Sequence, residues 1–358
     1  MQALNLCIRP PVSQVRCQPF DLGQVAGLAI GEQPDCGRGI SHFRAYRAYS
    51  PTMLAFANDK GIRKPMLNND EPSLDHLGWI GPGLSAGAAA WERLGFTLSR
   101  TSPQMGFTGP GGTLEPWASA NRCAVFEQGY LELIGIVAPE RFNPWTAYLV
   151  RGAGAHIAAF RVKEANAAYP ALADRVDGLD LPVQRRRMAP LGLNEDGGEA
   201  EMRFRNIFSQ DDHWPEGRYI VIEHQTPDIL WQSDLLVHAN GAKALVEAIF
   251  AAPDPGPTRD RLASLANRPA IETQDGWRIE TTGGNLTIMT LATLDARFPG
   301  VEVPARPAVI GAVVGVEDLA AAKALMTASE VELETSRDGL EFTAGPDAAG
   351  GIIAFKQL

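Results

Sequence analysis

The stretch that decides the fold runs from residue 73 to residue 136 and begins SLDHLGWI (residues 73–80). It closes with NRCAVF (residues 121–126) and YLELIGI (residues 130–136). Between these runs, Leu84–Leu94 has the apolar spacing of a helix and stops at Gly95, a residue type common after helix ends. The stretch therefore predicts a strand, a helix and then short strands.

Two polar residues interrupt the apolar strands of this stretch. His76 lies in the first strand and Glu132 in the last, each between apolar neighbours. Burying a carboxylate is costly unless something pairs with it. A divalent cation shared with His76 would do this, since imidazole and carboxylate groups both bind such ions. Equally open is a hydrogen-bonded core histidine beside a carboxylate at the rim.

The same order of elements recurs along the chain. The second copy begins with Gly154–Val162 and continues with a helix over Glu164–Val176 and strands at Glu201–Phe208 and Arg218–His224. The third has a strand at Leu235–His238, a helix over Gly241–Phe250 ended by Pro253–Pro257, and a hairpin of Trp277–Glu280 with Asn285–Leu291. The fourth has a strand at Ala308–Val316, a helix over Asp318–Ala328 and short strands up to Lys356. Such a period indicates one unit repeated because a single copy cannot bury its own apolar face.

The remaining segments set the domain organisation. Residues 1–70 carry eight Lys and Arg against five Asp and Glu, show no sustained period and are expected to be a poorly ordered arm. The second copy also contains a polar, Gly-rich stretch, Leu179–Gly198, whose Arg185-Arg186-Arg187 we interpret as a solvated loop. We predict one domain at residues 71–232, holding copies one and two, and another at residues 233–358, holding copies three and four.

Six short motifs give the chain a resemblance to a known family. They are LDHL (74–77), WERLGF (91–96), ANRC (120–123), YLELI (130–134), HQTPDILW (224–231) and HANGA (238–242). Together they cover about residues 73–245 and resemble the vicinal oxygen chelate superfamily, more narrowly its glyoxalase-like domain family, which shares a fold with bleomycin-resistance proteins and extradiol dioxygenases. The resemblance implies an α+β fold of repeated βαβββ modules paired into half-open barrels.

The resemblance also implies a set of metal ligands. In the superfamily these come from the first and last strands of two paired modules, which here gives His76, Glu132, His156 and either Glu223 or His224. Adjacent residues of a strand point to opposite faces, so only one of the last two can face the cleft. Alignment on Thr226-Pro227 favours His224, which we prefer, whereas alignment of YLE on residues 221–223 favours Glu223. For His156 a core histidine is the alternative.

Further roles follow from the same resemblance. A mixed His and Glu set suits Zn, Ni, Co, Mn or Fe(II), and Glu132 could leave the ion and act as a catalytic base. Arg122 could bind a substrate carboxylate, with a rim arginine in a surface ion pair as the alternative. Trp231 and His238 are expected near the cleft as weaker substrate-binding candidates, and His42 and His213 at the surface.

Composition limits the functional classes. The net charge of −10 argues against a general nucleic-acid binder, and no apolar run reaches the ~20 residues of a membrane span. Four cysteines without metal-type spacing favour a reducing cytoplasm. We therefore expect a cytoplasmic, metal-dependent lyase, isomerase or dioxygenase acting on a small oxygenated molecule, and allow for a homodimer. The alternative is a non-catalytic ligand-binding protein.

Overall fold

The structure of the protein is a computed structural model that describes residues 71–109 and 112–358. The predicted arm, residues 1–70, and His42 within it lie outside the described residues. Within the described ranges no helix has the length and apolar character needed to span a membrane.

The first half of the described chain contains two βαβββ modules joined by a short helix. Module one consists of β1 (Ser73–Gly81), α1 (Leu84–Arg93), β2 (Ser102–Phe107), β3 (Leu114–Val125) and β4 (Tyr130–Ile136), and is followed by α2 (Thr146–Leu149). Module two consists of β5 (Gly154–Arg161), α3 (Ala165–Ala173), β6 (Val183–Pro190), β7 (Glu199–Phe208) and β8 (Arg218–His224), and is followed by α4 (Pro227–Leu230).

The second half repeats this arrangement. Module three consists of β9 (Ala242–Ala252), α5 (Gly256–Ala266), β10 (Ala270–Thr273), β11 (Gly276–Thr281) and β12 (Gly284–Thr290), and is followed by α6 (Leu291–Arg297). Module four consists of β13 (Ala308–Val316), α7 (Leu319–Ala328), β14 (Glu334–Thr335), β15 (Glu341–Ala344) and β16 (Ile352–Gln357).

Each pair of modules forms one eight-stranded sheet. The strand orders are β2-β3-β4-β1-β5-β8-β7-β6 and β10-β11-β12-β9-β13-β16-β15-β14. In the first sheet the two edge strands lie close to each other. Arg187 Nη1 of β6 donates to Ser102 Oγ of β2 at 3.2 Å. The predicted α+β fold of paired βαβββ modules is thereby confirmed. The division at residue 232 stays a prediction.

The central strands are held in place by burial on both faces. All nine residues of β1 and all nine of β13 are buried, as expected for strands at the middle of a covered sheet. Helix α7 begins where expected, since the Asp318 carboxylate accepts the backbone N–H of Ala321 at 2.9 Å. Helix α1 ends at Arg93, and Gly95, two residues further on, has a φ of 86° that suits a residue without a Cβ.

The predicted order of module three is wrong by one element. Gly241–Phe250, predicted as a helix, lies mainly in strand β9, and Leu235–His238, predicted as a strand, forms turns. A strand covered on both faces has a continuous apolar run, which periodicity alone does not separate from a buried helix. Pro253–Pro257, predicted as a helix breaker, leads into α5, whose first turn tolerates proline.

The second half-barrel combines an apolar cluster with a smaller cavity. The cluster includes Met289, Phe298 and Phe342, and the cavity, of about 240 Å³, is lined by polar side chains that include Arg297 and Asp338. The Arg297 guanidinium at the end of α6 donates to Glu247 Oε1 at 2.6 Å and lies 2.9 Å from Asp338 Oδ2. The positive charge of this arginine is therefore balanced by carboxylates of the same half-barrel.

The two sheets share one hydrophobic core. The rings of Phe96 and Phe355, from opposite ends of the described chain, stack with centroids 5.9 Å apart. The indole N–H of Trp91 in α1 donates to the carbonyl of Ala348 at 3.3 Å. Tyr219 of β8 stacks on Phe250 of β9 at 6.3 Å. Modules from both halves thus bury the same apolar interior.

Candidate functional site

A cavity opens on the concave face of the first sheet. It has a volume of about 350 Å³, within the usual size of a small-molecule site. Its lining is mostly apolar and aromatic, including Trp117, Phe204 and Ile220. Its polar residues include His76 and Glu132, which β1 and β4 contribute where they lie side by side.

An irregularity in β1 places a carboxylate behind His76. The register with β5 shifts between Leu74 and His76, and such a bulge re-aims side chains. The Asp75 side chain is 0% exposed and accepts from three groups: His76 Nδ1 at 2.8 Å, His224 Nε2 at 3.0 Å and the Arg161 guanidinium. One buried carboxylate therefore orients two imidazoles.

The charges around Asp75 fix its ionisation. Burial opposes the charged form, but the positive charge of Arg161 and the contacts with His224 and His76 hold the pKa of Asp75 well below its usual range. Burial lowers the pKa of His224, against the opposing effect of Asp75. With Asp75 ionised, His76 Nδ1 and His224 Nε2 donate to it. In a neutral His76 ring this leaves the lone pair on Nε2.

Nε2 of His76 meets two oxygens on the cavity side. It lies 3.9 Å from Glu132 Oε2 and 3.5 Å from the hydroxyl of Tyr130, whose ring stacks on the imidazole with centroids 4.1 Å apart. Burial, and then the charges of Asp75 and Glu132, raise the pKa of Tyr130 well above its ordinary value. The Asn121 amide donates to Glu132 Oε1, so Oε2 is the oxygen that faces His76.

These residues fit an open metal centre. A separation of 3.9 Å between His76 Nε2 and Glu132 Oε2 is close to that of two ligands on one ion with bonds of about 2.0–2.2 Å. Among the described residues, however, no group of three or more His, Cys, Asp and Glu side chains could hold a metal ion. The pair thus suits an ion that takes its other ligands from water or substrate, and does not suit a closed structural site.

The register of the parallel ladders shows which residues of the two modules correspond. His76 begins the ladder of β1 with β4, and Ile157 begins that of β5 with β8. The third pair is Gly78 with Glu132 in module one and Ala159 with Ile220 in module two. His224 lies four residues beyond Ile220, so it does not occupy the position that corresponds to Glu132. In module two, apolar side chains therefore stand where module one has its polar pair.

Glu223, the alternative to His224, faces the other side of the sheet. Its Oε2 accepts the backbone N–H of Ala165 at the start of α3, at 2.9 Å, and its Oε1 accepts from Gln225. The strand alternation anticipated from sequence thus turns Glu223 toward the helix and His224 toward Asp75.

His156 is not brought to the His76 cluster. It lies at the start of β5, where Nε2 contacts the carbonyl of Gly152 at 2.8 Å and the ring packs 5.6 Å from that of Tyr148. Burial lowers the pKa of His156 to about 4, and the charges of Arg306 and Arg151 act in the same direction. These contacts are those of a neutral core histidine.

The buried His156 should make the fold sensitive to acid. Its folded pKa of about 4 lies below the unfolded value of about 6.5, so the unfolded chain binds the proton more readily. The contribution is complete above pH ~6.5 and is lost as the pH falls toward ~4, up to about 3 kcal/mol. We expect His156→Gln to flatten the fall in unfolding free energy over this range, measured by urea denaturation at several pH values.

The exposed His213 provides the control for this experiment. Its ring pairs with Asp212 at the surface, so His213→Gln should leave the pH dependence close to that of the parent protein. Equal slopes for the parent and His156→Gln would contradict the assignment of the acid sensitivity to His156.

The three weaker substrate-binding candidates lie in different surroundings. The structure does not bring Arg122 to the cavity, because its guanidinium donates to Glu92 Oε1 at 2.8 Å and to the Ser99 carbonyl. His238 is held by backbone on both nitrogens, accepting from Thr97 N–H and contacting the Val125 carbonyl.

Trp231 does lie beside the cluster. Its indole N–H donates to the Phe126 carbonyl at 3.0 Å, and its ring is 5.0 Å from that of His224 and 4.4 Å from the Arg161 guanidinium. It therefore packs behind His224 and helps to fix that imidazole.

Sequence reasoning missed the arginines of β6. Residues 183–190, interpreted as part of a solvated loop, form an edge strand paired with β7. Arg185 pairs with Phe204 and Arg187 with Met202, so both lie on the cavity face. A polar edge strand lacks the apolar alternation that reveals other strands. The only sequence feature that could have drawn attention to this strand was the run of three arginines. Asp75 was also missed, because a bulge is not visible in a pattern.

The fold and cavity define a class of protein. Paired βαβββ modules around a cavity with a polar cluster on the first and last strands are the architecture of the vicinal oxygen chelate superfamily. A family model described as the glyoxalase-like domain matches residues 74–266, more than half of the chain. The chain belongs to the glyoxalase-like domain family.

Solved structures agree with this fold. A hypothetical protein from Staphylococcus aureus is 9% identical, with a TM-score of 0.54 over 80% of this chain and 100% of its own. A mutant of 4-hydroxymandelate synthase from Streptomyces coelicolor is 13% identical, with a TM-score of 0.50 over 80% of this chain and 93% of its own. At such identities the likeness shows the fold alone. No curated protein matches the chain.

Proposed function

We propose that the cavity of modules one and two is the active site of a metal-dependent enzyme acting on a small oxygenated molecule. The observation that carries this proposal is the meeting of His76 Nε2, Glu132 Oε2 and the Tyr130 hydroxyl at one point of the cavity. His76 and Glu132 would hold the ion. When bound, it supplies a Lewis acid for substrate oxygens and stabilises negative charge that develops on them.

The protein side chains have separate tasks in this proposal. Asp75 fixes the His76 tautomer, so that Nε2 faces the cavity. Tyr130 stays protonated at neutral pH and can donate a hydrogen bond to a substrate oxygen. Glu132 keeps Oε2 directed at His76 because Asn121 donates to Oε1, and it is the group that would accept a substrate proton.

A second candidate function is ligand binding without chemistry. The observation that favours it is the apolar character of Ile157 and Ile220, which stand in module two where module one has His76 and Glu132. A cavity with half of the polar positions filled by isoleucine suits a sequestering protein of the bleomycin-resistance type.

Metal binding separates the two functions. Protein purified without chelator and titrated with Co²⁺, followed by calorimetry and visible absorption, should take up one ion. His76→Ala or Glu132→Gln should weaken this binding by more than roughly 100-fold, since even a ligand's supporting hydrogen bond contributes 10- to 100-fold. The melting temperature of Glu132→Gln should stay close to that of the parent protein, because the amide keeps the shape of the side chain.

His213→Ala is the matched control, because it removes an exposed histidine that lies outside the cavity. It should leave Co²⁺ affinity unchanged. Parent protein that takes up no ion, or His76→Ala that binds Co²⁺ as the parent does, would count against the enzyme and in favour of the binding protein.

A further inference from the structure

The cavity carries an excess of positive charge. Three arginine side chains, those of Arg185, Arg187 and Arg218, face it, against a single carboxylate, Glu132. The whole chain has a net charge of −10, so this local excess runs against the average of the molecule. A concave site with one sign of charge concentrates ligands of the opposite sign.

Arg185 has no counterion within the described part of the chain. Its guanidinium lies over the ring of Phe208, 5.4 Å from the centroid, on the inward face of β6. Burial and the neighbouring charge of Arg218 lower the pKa of Arg185. A half-buried guanidinium faced by a second cation, and by no carboxylate, lacks the partner that such a group usually has.

Arg218 is incompletely paired in the same region. Its Nη2 lies 3.7 Å from Asp211 Oδ1, beyond hydrogen-bond distance. Its Nε is buried and makes no hydrogen bond, and its guanidinium lies 5.3 Å from the ring centroid of Trp145. Among the described residues, neither arginine therefore has a carboxylate within hydrogen-bond distance.

The position of Arg218 also sets the direction of a ligand. In the parallel ladders Arg218 of β8 corresponds to Tyr130 of β4, so the modules place a cation and a neutral hydroxyl at equivalent sites. A ligand that spans the cavity would then have its anionic end in module two and its oxygenated end beside His76 in module one.

We propose that the ligand is a small carboxylic acid with an apolar or aromatic body, its carboxylate held by Arg185 and Arg218. Arginine N–H groups match the two oxygens of a carboxylate, and Phe204, Phe208 and Ile220 provide the apolar contact for the body. This inference rests on the proposed function in that it names the substrate class of the same cavity. The carboxylate is separate from the oxygens that would face His76.

The test compares an acid with its neutral counterpart. Full-length protein in excess chelator is titrated with phenylacetate, phenylacetamide and inorganic phosphate, by calorimetry and by intrinsic tryptophan fluorescence, to which Trp117 and Trp145 of the lining contribute. The acid should bind roughly 10- to 100-fold more tightly than the amide, as expected for hydrogen bonds to a charged group. Arg185→Gln and Arg218→Gln should each lose most of this preference, with circular dichroism confirming that they fold.

Arg203→Gln is the control, because Arg203 lies on the outer face of β7 beside Glu201. It should keep the preference for the acid. Equal affinities for acid and amide, no binding of the acid at millimolar concentration, or a preference that survives in both cavity variants would overturn the proposal. Phosphate bound as tightly as the acid would also overturn it, by assigning the arginines to an inorganic anion.

The chelator separates this result from the proposed function. If His76→Ala keeps the arginine-dependent preference for phenylacetate while the parent protein takes up no Co²⁺, the enzyme proposal fails and the carboxylate site stands. If Co²⁺ binds through His76 but acid and amide bind equally, the carboxylate site fails and the enzyme proposal stands.

Discussion

Asp75→Ala should destabilise the protein by about 3–5 kcal/mol, the usual cost of removing one partner from a buried ion pair. The Asp75 carboxylate is wholly buried and is the common acceptor for His76, His224 and Arg161. Without it the guanidinium of Arg161 stays in the interior with its main counterion gone. Urea denaturation at pH 7 measures the change, and Co²⁺ titration of the same variant should show weakened binding because His76 is no longer oriented.

The surface supplies a matched His–Asp pair for comparison. Asp212 contacts His213 at 2.9 Å but is largely exposed, so Asp212→Ala should leave the unfolding free energy close to that of the parent protein. The pH dependence gives a second check. Because the folded pKa of Asp75 is depressed, its contribution is present above the unfolded pKa of about 3.9 and is lost as the pH falls below it. An Asp75→Ala variant as stable as Asp212→Ala would contradict the central role of this carboxylate.

Arg297→Ala should have a similar effect in the second half-barrel. Arg297 is 5% exposed and bridges Glu247 and Asp338. Its removal leaves a half-buried carboxylate without a partner, at an expected cost of about 3–5 kcal/mol. Arg297→Lys keeps the charge but loses the two-pronged contact, so it should lie between the parent and the alanine variant in thermal and urea denaturation.

Arg141 provides the control for this experiment. It pairs with Glu140 at the surface, 3.7 Å apart, and Arg141→Ala should cost less than about 1 kcal/mol. An Arg297→Ala variant that unfolds at the same urea concentration as Arg141→Ala would show that the ionic cluster fills space without stabilising the half-barrel.

The fold was predictable because, over most of the chain, the residues that end helices and the pattern of apolar residues indicate the same elements. Gly95 and Asp318 mark helix ends that the structure reproduces. Strand β9 was not predictable by the same means, since a strand with both faces covered has no polar alternation. A second error followed from the first. Once residues 241–250 were assigned to a helix, the first strand of module three had to be placed before them, at residues 235–238.

The sequence could point to the candidate site only at positions that a single strand determines. His76 and Glu132 lie on neighbouring parallel strands, and polar residues in apolar runs mark both. Placing His224 relative to them requires the register of two modules, which loop lengths do not fix. The bulge at Asp75 and the inward aim of Arg185 depend on tertiary pairing and leave no mark on a one-dimensional pattern.

Because both sheets share one apolar interior, the stability of the half-barrel with the cavity depends on that of the other half-barrel. Residues chosen for binding, such as Arg185 with its unbalanced charge, weaken the fold around them. A packed second sheet that shares its core with the first can offset such local losses, because the modules would melt together rather than one after the other. The packing of the second half-barrel can therefore tolerate changes in the cavity lining that a half-barrel folding alone would not.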